Sequence, residues 1–582
     1  MSNLTTKVEH RPSVEKPWLK YFPSESLKAK MPRETIYQYI KKIFEKSPKG
    51  KALYYYGTSW NHSQLLEKIE RAADAFAALG VKAGDIVTFL SVTTPETIYM
   101  MYALNKIGAI SNLVDPRMDT SRITDAIVDV KSKVLITIDL AWPKVEYIRD
   151  KINVSDIIVI SANDSLPAVA KIARKLTTKS PKIPYGDHVI NTSTLMSMAK
   201  KAKAKEVSYS EGSIALITYT GGTTGTPKGV LITNDGLNVE AESFRLSGVD
   251  VKPGERFLDI MPIFAAYGVG CGIHMPLALS MENVIIPKFT PDELGALIKK
   301  YKPSHMMGVP SFYERIMHSR EMWDFDLSFF KTTGCGGDTM NDGLGKRFND
   351  FLREHGAPYE ISQGYGMSEL SGAATCCFSG ITRLGSSGIP LLGVTVSIFH
   401  PETGEEMDYG QEGEICITGP TMMRGYYNNP EETDMIMRRH FDGTVWVHSG
   451  DIGYMDKDGF VYIKGRVKQI IIRFDGHKVF PVSIEKIVGK HKAVATCAVV
   501  GIPDPDHAQG QQPLVVAELK KSIPQEQHEA IRKELLDICF AECEERGRPI
   551  DITFIDDLPH TGMGKNDYRK LTDMYKNFAP RR

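Results

Sequence analysis

The sequence predicts an α/β protein that carries a smaller α+β unit at its C-terminal end. Two observations carry this prediction. Helix signals and strand signals alternate in the first part of the chain, as in folds that pack helices on sheets. In the last hundred or so residues, three strand-like runs surround one helix-like run. The length of 582 residues allows several domains.

The first alternation lies between residues 63 and 108. Apolar residues recur at helical spacing from Ser63 to Leu79, and Gly80 follows as a C-terminal stop. The run 85–92 has the pattern of a short buried strand. Thr94 and Pro95 then supply a capping hydroxyl and a first-turn proline, so the next helix is expected to begin there and to end at Gly108.

The C-terminal unit has three predicted strands, VATCAVVGI, PLVVAEL and DITFI. A helix is predicted from Gln525 to Arg546, with Ile531, Leu535 and Ile538 on one face. Its boundary with the larger part is expected within KGRVKQ, at 464–469.

Composition argues for a protein of the cytoplasm. Lys plus Arg and Asp plus Glu both number 71, so no overall charge favours nucleic acid. The N-terminus lacks the apolar stretch of a signal peptide, and no run of eighteen apolar residues predicts a membrane span. The 8 cysteines form no Cys-x-x-Cys pair, which favours reduced thiols over disulfides or zinc.

One segment departs from this balance. Residues 165–205 contain nine Lys or Arg and a single Asp. Leu166, Val169, Ile172, Ala173 and Leu176 fall on one helical face beside basic residues, a pattern that can lie on an anionic membrane surface. The alternative, a solvated surface insertion, is the more common reason for a run of charge.

The stretch TYTGGTTGTPKGV, from Thr218 to Val230, has the composition of a phosphate-binding loop. SIALITY, just before it, is predicted to be a strand, and a helix is predicted to begin after it at Thr233 or Asn234. Glycines let backbone amides approach an anion, and hydroxyls and a lysine add donors. The loop is not a P-loop, because Pro227 precedes Lys228 and Gly229 stands where Ser or Thr would bind magnesium. The donors are Thr220, Thr223, Thr224, Thr226 and Lys228, with Gly221, Gly222 and Gly225 between them.

YTGGTTGTPKG resembles the signature of the adenylate-forming (AMP-binding) superfamily, which contains acyl-CoA synthetases, luciferases and peptide-synthetase adenylation domains. Further stretches match the family in its order. The resemblance implies a large domain of layered sheets over 1–464, a hinge at 465–470, and a small mobile C-terminal domain over 471–582. It also implies ATP, Mg²⁺ and CoA as reactants or cofactors, and assigns the loop to the β and γ phosphates of ATP.

The second match is QGYGMSE, residues 363–369. The resemblance implies that Tyr365, between Gly364 and Gly366, lies along adenine, and that Glu369 helps to hold magnesium. Ser368 stands where the family more often has Thr, and both are hydroxyls.

The third match runs from Trp446 to Arg466 and continues into the hinge. It implies that Asp451 accepts the ribose hydroxyls and that Arg466 lies near ribose or phosphate. It also implies that Lys468 is the hinge residue and that Gly476 faces the thiol acceptor.

The fourth match, PHTGMGK, ends at Lys565. The resemblance makes Lys565 the main catalytic residue, with Glu369 and Thr224 as further catalytic groups. A carboxylate that attacks the α-phosphate of ATP brings two anions together, so positive charge and donors at that point lower the barrier. The catalytic charge is thereby assigned to Lys565, and Lys228 is left as part of a phosphate clamp.

The acyl substrate is expected to be apolar. By resemblance its pocket is built from MPIFAAYGVG, MMGVPSF and TGCGGD, with Phe264, Ala265, Tyr267, Val309, Gly336 and Gly337 as wall residues. Ala265 stands where peptide-synthetase domains have an Asp for an amino group, which argues against amino acids. A fatty, aryl or steroid-type acid is expected instead.

Three interpretations stay open from the sequence. The preferred one is an AMP-forming acyl-CoA synthetase with a small acid and CoA as partners. The second is an adenylating enzyme that loads a carrier-protein thiol or supports a luciferase-like oxidation. The third is a catalytically inactive nucleotide-binding regulator, disfavoured because Glu369, Asp451 and Lys565 are all present.

Overall fold

A computed structural model describes residues 10–171, 181–220, 228–466, 469–475, 477–507, 509–560 and 566–581. The strands are β1 Lys51–Tyr55, β2 Thr58–Asn61, β3 Ile86–Leu90, β4 Ile110–Val114, β5 Val134–Ile138, β6 Asp156–Ile160, β7 Val189–Asn191, β8 Ile214–Tyr219, β9 Gly229–Thr233, β10 Arg256–Asp259, β11 Glu282–Ile285, β12 His305–Gly308, β13 Thr332–Cys335, β14 Ser362–Tyr365, β15 Thr375–Cys376, β16 Ile389–Pro390, β17 Thr395–Phe399, β18 Gly413–Thr418, β19 Met437–Arg439, β20 Val445–Met455, β21 Val461–Arg466, β22 Ile471–Ile472, β23 Lys478–Val479, β24 Val494–Pro503, β25 Gln511–Leu519 and β26 Asp551–Phe554.

The helices are α1 Pro12–Glu15, α2 Ile36–Lys46, α3 His62–Ala78, α4 Pro95–Lys106, α5 Thr120–Val128, α6 Trp142–Ile148, α7 Thr192–Met198, α8 Asn234–Leu246, α9 Met275–Ala278, α10 Leu294–Tyr301, α11 Pro310–Met317, α12 Asp342–Glu354, α13 Pro430–Ile436, α14 Pro481–Val488, α15 His528–Glu542 and α16 Tyr568–Tyr575. A π-helical turn, Gly268–His274, precedes α9.

A seven-stranded sheet, ordered β7-β6-β5-β3-β4-β8-β9, forms the first layer. All its pairings are parallel except that of β8 with β9. β3 and β5 are buried along their whole length, as expected for strands covered on both faces. The Thr94 side chain accepts from the Thr97 amide and Pro95 fills the first turn of α4, so the predicted helix start is confirmed.

A nine-stranded sheet, ordered β16-β15-β14-β13-β12-β10-β11-β1-β2, forms the second layer. Its central strands β11, β10, β12, β13 and β14 are parallel, and β15 pairs antiparallel with β14. The strands are short and mostly buried, and helices α10 to α12 lie between them in sequence. A third, antiparallel sheet joins β17, β18, β20 and β19, with β21 beside β20.

The C-terminal unit is α+β, as predicted. β24, β25 and β26 form a three-stranded sheet, and Ile531 and Leu535 of α15 are buried in its apolar core. α15 is shorter than the predicted helix, because Cys543 is extended and residues 525–527 form a separate 3-10 turn. The fold class is confirmed. The boundary at 464–469 and the hinge stay predictions, since 467 and 468 lie outside the described residues.

The phosphate-loop region differs from the expected strand, loop and helix. Gly229–Thr233 forms a return strand that pairs antiparallel with β8, so the loop closes a hairpin before α8 begins. The run Val-Leu-Ile-Thr favours a strand because its side chains are β-branched or large and apolar. The Thr233 side chain then accepts from the Gly236 amide, which confirms the predicted start of α8.

The basic segment 165–205 is only partly described. Leu166 is buried, whereas Val169 is 81% exposed, so these two residues do not share one apolar face. Ile172, Ala173 and Leu176 lie outside the described residues, and a membrane contact stays a prediction. Each helix in the described ranges is too short or too polar to cross a bilayer. All eight cysteines are unpaired and buried.

Candidate active site

A cavity of about 430 Å³ opens where the first two sheets meet. It lies at the carboxyl ends of β4, β8, β12, β13 and β14, since Leu113, Tyr219, Met307, Cys335 and Tyr365 all line it. The carboxyl ends of parallel strands are the common position of ligand sites in α/β proteins.

Residues that the sequence assigned to two different ligands line this one cavity. Of the residues assigned to the nucleotide, those that line the cavity are Thr220, Gly364, Tyr365, Gly366 and Ser368. All six residues assigned to the acyl group are also present, namely Phe264, Ala265, Tyr267, Val309, Gly336 and Gly337. The fold therefore brings together stretches that are up to about 150 residues apart in the chain.

Glycine is required at Gly366, in the turn that follows β14. A Cβ atom there would clash with the carbonyl oxygen of Gly372. At Gly364 a Cβ would come within 3.0 Å of the Thr375 carbonyl oxygen. The backbone around Tyr365 thus packs directly on the β15 side, which sets the position of the phenol.

Tyr365, Asp451 and Arg466 form a hydrogen-bonded group at the edge of the cavity. The Tyr365 hydroxyl donates to Asp451 Oδ2 at 2.6 Å, and Arg466 Nε donates to Asp451 Oδ1 at 2.7 Å. Asp451 is 3% exposed and sits opposite Arg466 on neighbouring strands. Burial raises the pKa of the Tyr365 phenol well above its ordinary value, and the charge of Asp451 raises it further. Tyr365 is half-buried, and its hydroxyl is hydrogen-bonded to Asp451.

Glu369 and Lys228 both contact the segment that leads into α13. The Tyr426 hydroxyl donates to Glu369 Oε1 at 2.6 Å, and Lys228 Nζ lies 4.9 Å from the centre of the Tyr426 ring. Lys228 also forms an ion pair with Glu432. Tyr426 and Glu432 were missed by sequence reasoning. The predicted magnesium ligand and the predicted phosphate cation thus share one neighbour.

The acyl side of the cavity is apolar. The Arg117 guanidinium stacks 5.0 Å from the centre of the Phe264 ring, and the Tyr267 hydroxyl donates to the Gly308 carbonyl at 3.3 Å. Three cysteines line the cavity, Cys271, Cys335 and Cys376. Burial raises the pKa values of their thiols, so these thiols are neutral at physiological pH.

A buried carboxyl group, Glu240 of α8, lies behind this wall. Cys271 Sγ donates to Glu240 Oε1 at 3.1 Å, and the Ala373 amide donates to Oε2 at 3.0 Å. Burial raises the pKa of Glu240 to about 8, although both hydrogen bonds oppose the change. Glu240 is therefore protonated at neutral pH. No sequence pattern pointed to it.

Several predicted site residues lie outside the described residues: Gly221, Gly222, Thr223, Thr224, Gly225, Thr226, Lys468, Gly476 and Lys565. Their described neighbours border the site. The Thr220 amide donates to the Lys228 carbonyl at 3.1 Å, which closes the base of the threonine-rich loop. Asp567 and Arg569, just after 561–565, line the cavity.

Glu369, Asp451, Arg466 and Lys228 do not line the cavity themselves in the described structure. Asp451 reaches its edge through Tyr365, and Glu369 follows Ser368 in the same turn. The arrangement places the two carboxylate oxygens of Asp451, the ring of Tyr365 and the buried carboxylate of Glu369 beside an apolar chamber. This set suits a nucleotide held next to an apolar ligand.

Comparison with known families decides the assignment. The profile described as "AMP-binding enzyme" matches residues 40–427, and that of "AMP-binding enzyme C-terminal domain" matches 483–565. The chain belongs to the AMP-binding enzymes. The sequence-based prediction of an adenylate-forming enzyme, and of an AMP-forming acid–thiol ligase at the level of the family, is confirmed.

Two curated relatives of this AMP-binding enzyme match it over most of their length. A "Long-chain-fatty-acid--CoA ligase" of Bacillus subtilis (strain 168) is 30% identical over 566 residues, which cover 96% of this chain and 98% of the relative. A "Probable 4-coumarate--CoA ligase 3" of Dictyostelium discoideum is 28% identical over 522 residues, or 88% and 89% of the two chains.

Solved structures show the same fold. The anthranilate CoA ligase AuaEII in complex with anthranoyl-AMP superposes with a TM-score of 0.80 at 22% identity, and covers 94% of this chain and 98% of its own. ATP-bound MatB from Rhodopseudomonas palustris gives 0.77 at 22% identity, with 93% and 99% covered.

Proposed function

We propose that this AMP-binding enzyme is an ATP-dependent ligase that joins an apolar carboxylic acid to CoA. The acid and ATP would give acyl-AMP and pyrophosphate, and CoA would then give acyl-CoA and AMP. The observation that carries the proposal is the single cavity that both the nucleotide-side residues and the acyl-side residues line. The activities named for the relatives, which include long-chain fatty acid and 4-coumarate ligases, support it.

The nucleotide would lie along Tyr365, with its ribose on Asp451. Asp451 presents two carboxylate oxygens, which now accept from Tyr365 and Arg466. Charge-assisted hydrogen bonds of this kind are strong and directional, and ribose hydroxyls are suitable donors for the same oxygens. Arg466 stays beside the nucleotide as a cation for the phosphate or ribose.

The first step requires the acid carboxylate to approach the α-phosphate of ATP. Lys565 would neutralise the two anions where they meet, while Thr224 and the other loop donors hold the β and γ phosphates. Glu369 would hold the magnesium of MgATP, which supplies positive charge near the phosphates. Its carboxylate is 6% exposed and has a second oxygen besides the one that accepts from Tyr426, so it fits a hard cation.

The acid would occupy the apolar chamber. Ala265 places no carboxylate beside Phe264 for an ammonium group, and the three lining thiols are neutral. These features support an apolar acid of the fatty, aryl or steroid type.

The second step is attack of a thiol on the acyl-adenylate. We place the mobile domain at 471–582, the large domain at 1–464 and the hinge at 465–470, with Gly476 on the thiol side. Polar contacts join the two parts in the described residues, and interfaces of this kind within one chain commonly permit relative domain motion. The Asn566 amide donates to Asp338 at 3.3 Å, and Lys486 lies 4.0 Å from Asp342. Lys468→Pro should spare adenylation and impair thioester formation.

The test uses two assays on the full-length protein. Acid-dependent ATP–pyrophosphate exchange measures the first half-reaction, and CoA-dependent AMP release measures the second, each with Mg²⁺ and a panel of fatty, aryl, steroid and amino acids. We expect exchange with apolar acids and not with amino acids, and AMP release that requires free CoA.

Matched variants sharpen the test. Lys565→Ala should lower exchange by at least two orders of magnitude, the scale of a lost transition-state donor. Lys576→Ala, a solution-facing lysine eleven residues later, serves as the control. Exchange without any CoA-dependent AMP release would favour a carrier-protein thiol as acceptor, and no exchange with any acid would refute the proposal.

A further inference from the structure

Asp451 projects from an irregularity in β20. Cys416 pairs with His448 and Glu414 pairs with Ile452, so one residue of β18 faces three residues of β20, namely 449 to 451. Gly450, in the middle of the three, has a φ of +71°, a conformation that glycine adopts readily. Bulges of this kind redirect side chains, and they need partners for backbone groups displaced from the ladder.

Two side chains bond to backbone amides within this bulge. Glu414 Oε1 accepts from the Gly450 amide at 3.0 Å, and Ser449 Oγ accepts from the Asp451 amide at 3.0 Å. The Ser449 hydroxyl in turn donates to the Ile415 carbonyl at 2.6 Å. The bulge is therefore tied to β18 through Ser449 and Gly450, the two residues before Asp451.

Glu414 is itself held by a histidine pair. His448 Nδ1 lies 2.8 Å from Glu414 Oε2, and His448 Nε2 lies 2.9 Å from His440 Nε2. Glu414 and His448 are 7% and 8% exposed. Burial by itself raises the pKa of the Glu414 carboxyl, but the hydrogen bond and charge of His448, with the Gly450 amide, bring it below the ordinary value. Glu414 is thus an ionised acceptor aimed at the bulge.

A metal ion would be another use of these residues. Donor atoms of Glu414, Cys416 and His448 lie within 4.8 Å of one another. However, both Glu414 oxygens already have partners, and His440 faces the far nitrogen of His448, where it cannot bind the same ion. Burial also raises the pKa of the Cys416 thiol well above its ordinary value, which disfavours the thiolate that a metal needs. The hydrogen-bonded arrangement accounts for the group without an ion.

We propose that Glu414, oriented by His448, is a positioning residue that sets the direction of the Asp451 carboxylate and thereby the recognition of the ATP ribose. It touches neither substrate nor reacting atoms, and it acts through the Gly450 amide. The inference rests on the proposed function, because it assumes that Asp451 binds ribose.

The experiment compares ATP with 2′-deoxy-ATP and 3′-deoxy-ATP in acid-dependent pyrophosphate exchange by the full-length protein. The readout is the ratio of kcat/KM for ATP to that for each deoxy analogue. The variants are Glu414→Ala, Glu414→Gln, Asp451→Ala and the double variant Glu414→Ala/Asp451→Ala. The exposed Glu412, two residues before Glu414, gives the matched control Glu412→Gln.

We expect Asp451→Ala to abolish the preference for ATP. Glu414→Ala should reduce it at least fivefold, and the double variant should match Asp451→Ala. Glu414→Gln, which keeps an acceptor for the Gly450 amide, should recover part of the preference, and Glu412→Gln should retain all of it.

Three outcomes would overturn the inference. If Asp451→Ala loses the preference while Glu414→Ala and Glu414→Gln keep it, the positioning role of Glu414 is refuted and the ribose assignment of Asp451 stands. If Asp451→Ala keeps it, the ribose assignment fails and the inference falls with it. A stoichiometric metal in the purified protein that disappears in Cys416→Ser would show that Glu414 and His448 serve an ion instead. If Glu414→Ala does not fold, Glu414→Gln carries the comparison, and an unchanged preference in it counts against the proposal.

Discussion

Glu240→Gln should stabilise the protein, and increasingly so as the pH rises. Glu240 lies behind the cavity wall and has a pKa of about 8, against an ordinary value of 4.5, because burial disfavours its charged form. Glutamine has nearly the same shape, cannot ionise, and keeps an acceptor for the Ala373 amide. The substitution therefore removes the titration and preserves most of the packing.

The sign and size follow from these two pKa values. Between pH 4.5 and pH 8 the folded protein retains a proton that the unfolded chain releases, so the free energy of unfolding falls as pH rises. At about 1.4 kcal/mol per pH unit, this destabilisation is about 3 kcal/mol at pH 7 and about 5 kcal/mol above pH 8. It is absent below pH 4.5.

The assay is urea unfolding of wild type and Glu240→Gln between pH 5 and pH 9. The midpoint of the variant should move above that of the wild type as the pH increases. Glu242→Gln, two residues along the same helix, is the matched control. The hydrogen bonds from Arg245 and Tyr39 outweigh burial and lower the pKa of Glu242, so this variant should be less stable than wild type near neutral pH and approach it in acid.

A difference between wild type and Glu240→Gln that does not change with pH would refute the reasoning. It would mean that Glu240 has the same protonation state in the folded and unfolded chains. If Glu240→Gln became less stable than wild type as the pH approached 9, the folded protein would stabilise the charged form of Glu240.

Three further predictions concern the site. Tyr426→Phe removes the hydroxyl that donates to Glu369 at 2.6 Å, and should raise the Mg²⁺ concentration for half-maximal pyrophosphate exchange by about tenfold; an unchanged requirement would contradict this. Tyr365→Phe keeps the ring but removes the donor to Asp451, and should lower the free energy of unfolding by about 1.5–3 kcal/mol, measured by urea unfolding against Tyr147→Phe as an exposed control. Val309→Trp fills part of the cavity, and should raise the KM of bulky acids at least tenfold in the exchange assay while short acids are little affected; an equal loss for all acids would indicate general damage instead.

Local sequence patterns predicted the helix caps and the buried strands, because short-range interactions determine both. Thr94 and Thr233 cap helices where their position before an apolar run indicated, because the capping hydrogen bond spans only three residues. The C-terminal strands were predicted for the same reason, since each buries a continuous apolar run. Gly366 was noticed as part of a motif, and its cause, close contact with Gly372, became visible only in the fold.

Partners distant in the chain could not be predicted. Tyr426 and Glu432 meet Glu369 and Lys228 across 57 and 204 residues. Glu414 belongs to an ordinary strand pattern, and only the pairing of β18 with β20 reveals the bulge that it supports. Such contacts depend on strand register and layer packing, which a single sequence does not encode in local spacing.

The ion pair between Lys228 and Glu432 also bears on which anions the cleft admits. Lys228, the proposed phosphate lysine, already has an internal counterion, so an anion that bound it would exchange one partner for another and would gain little from this charge alone. A lone phosphate offers a single group for that exchange. A triphosphate with an adenosine attached would add the proposed ring and ribose contacts, so the Glu432 carboxylate paired with Lys228 would favour the larger ligand over a lone phosphate.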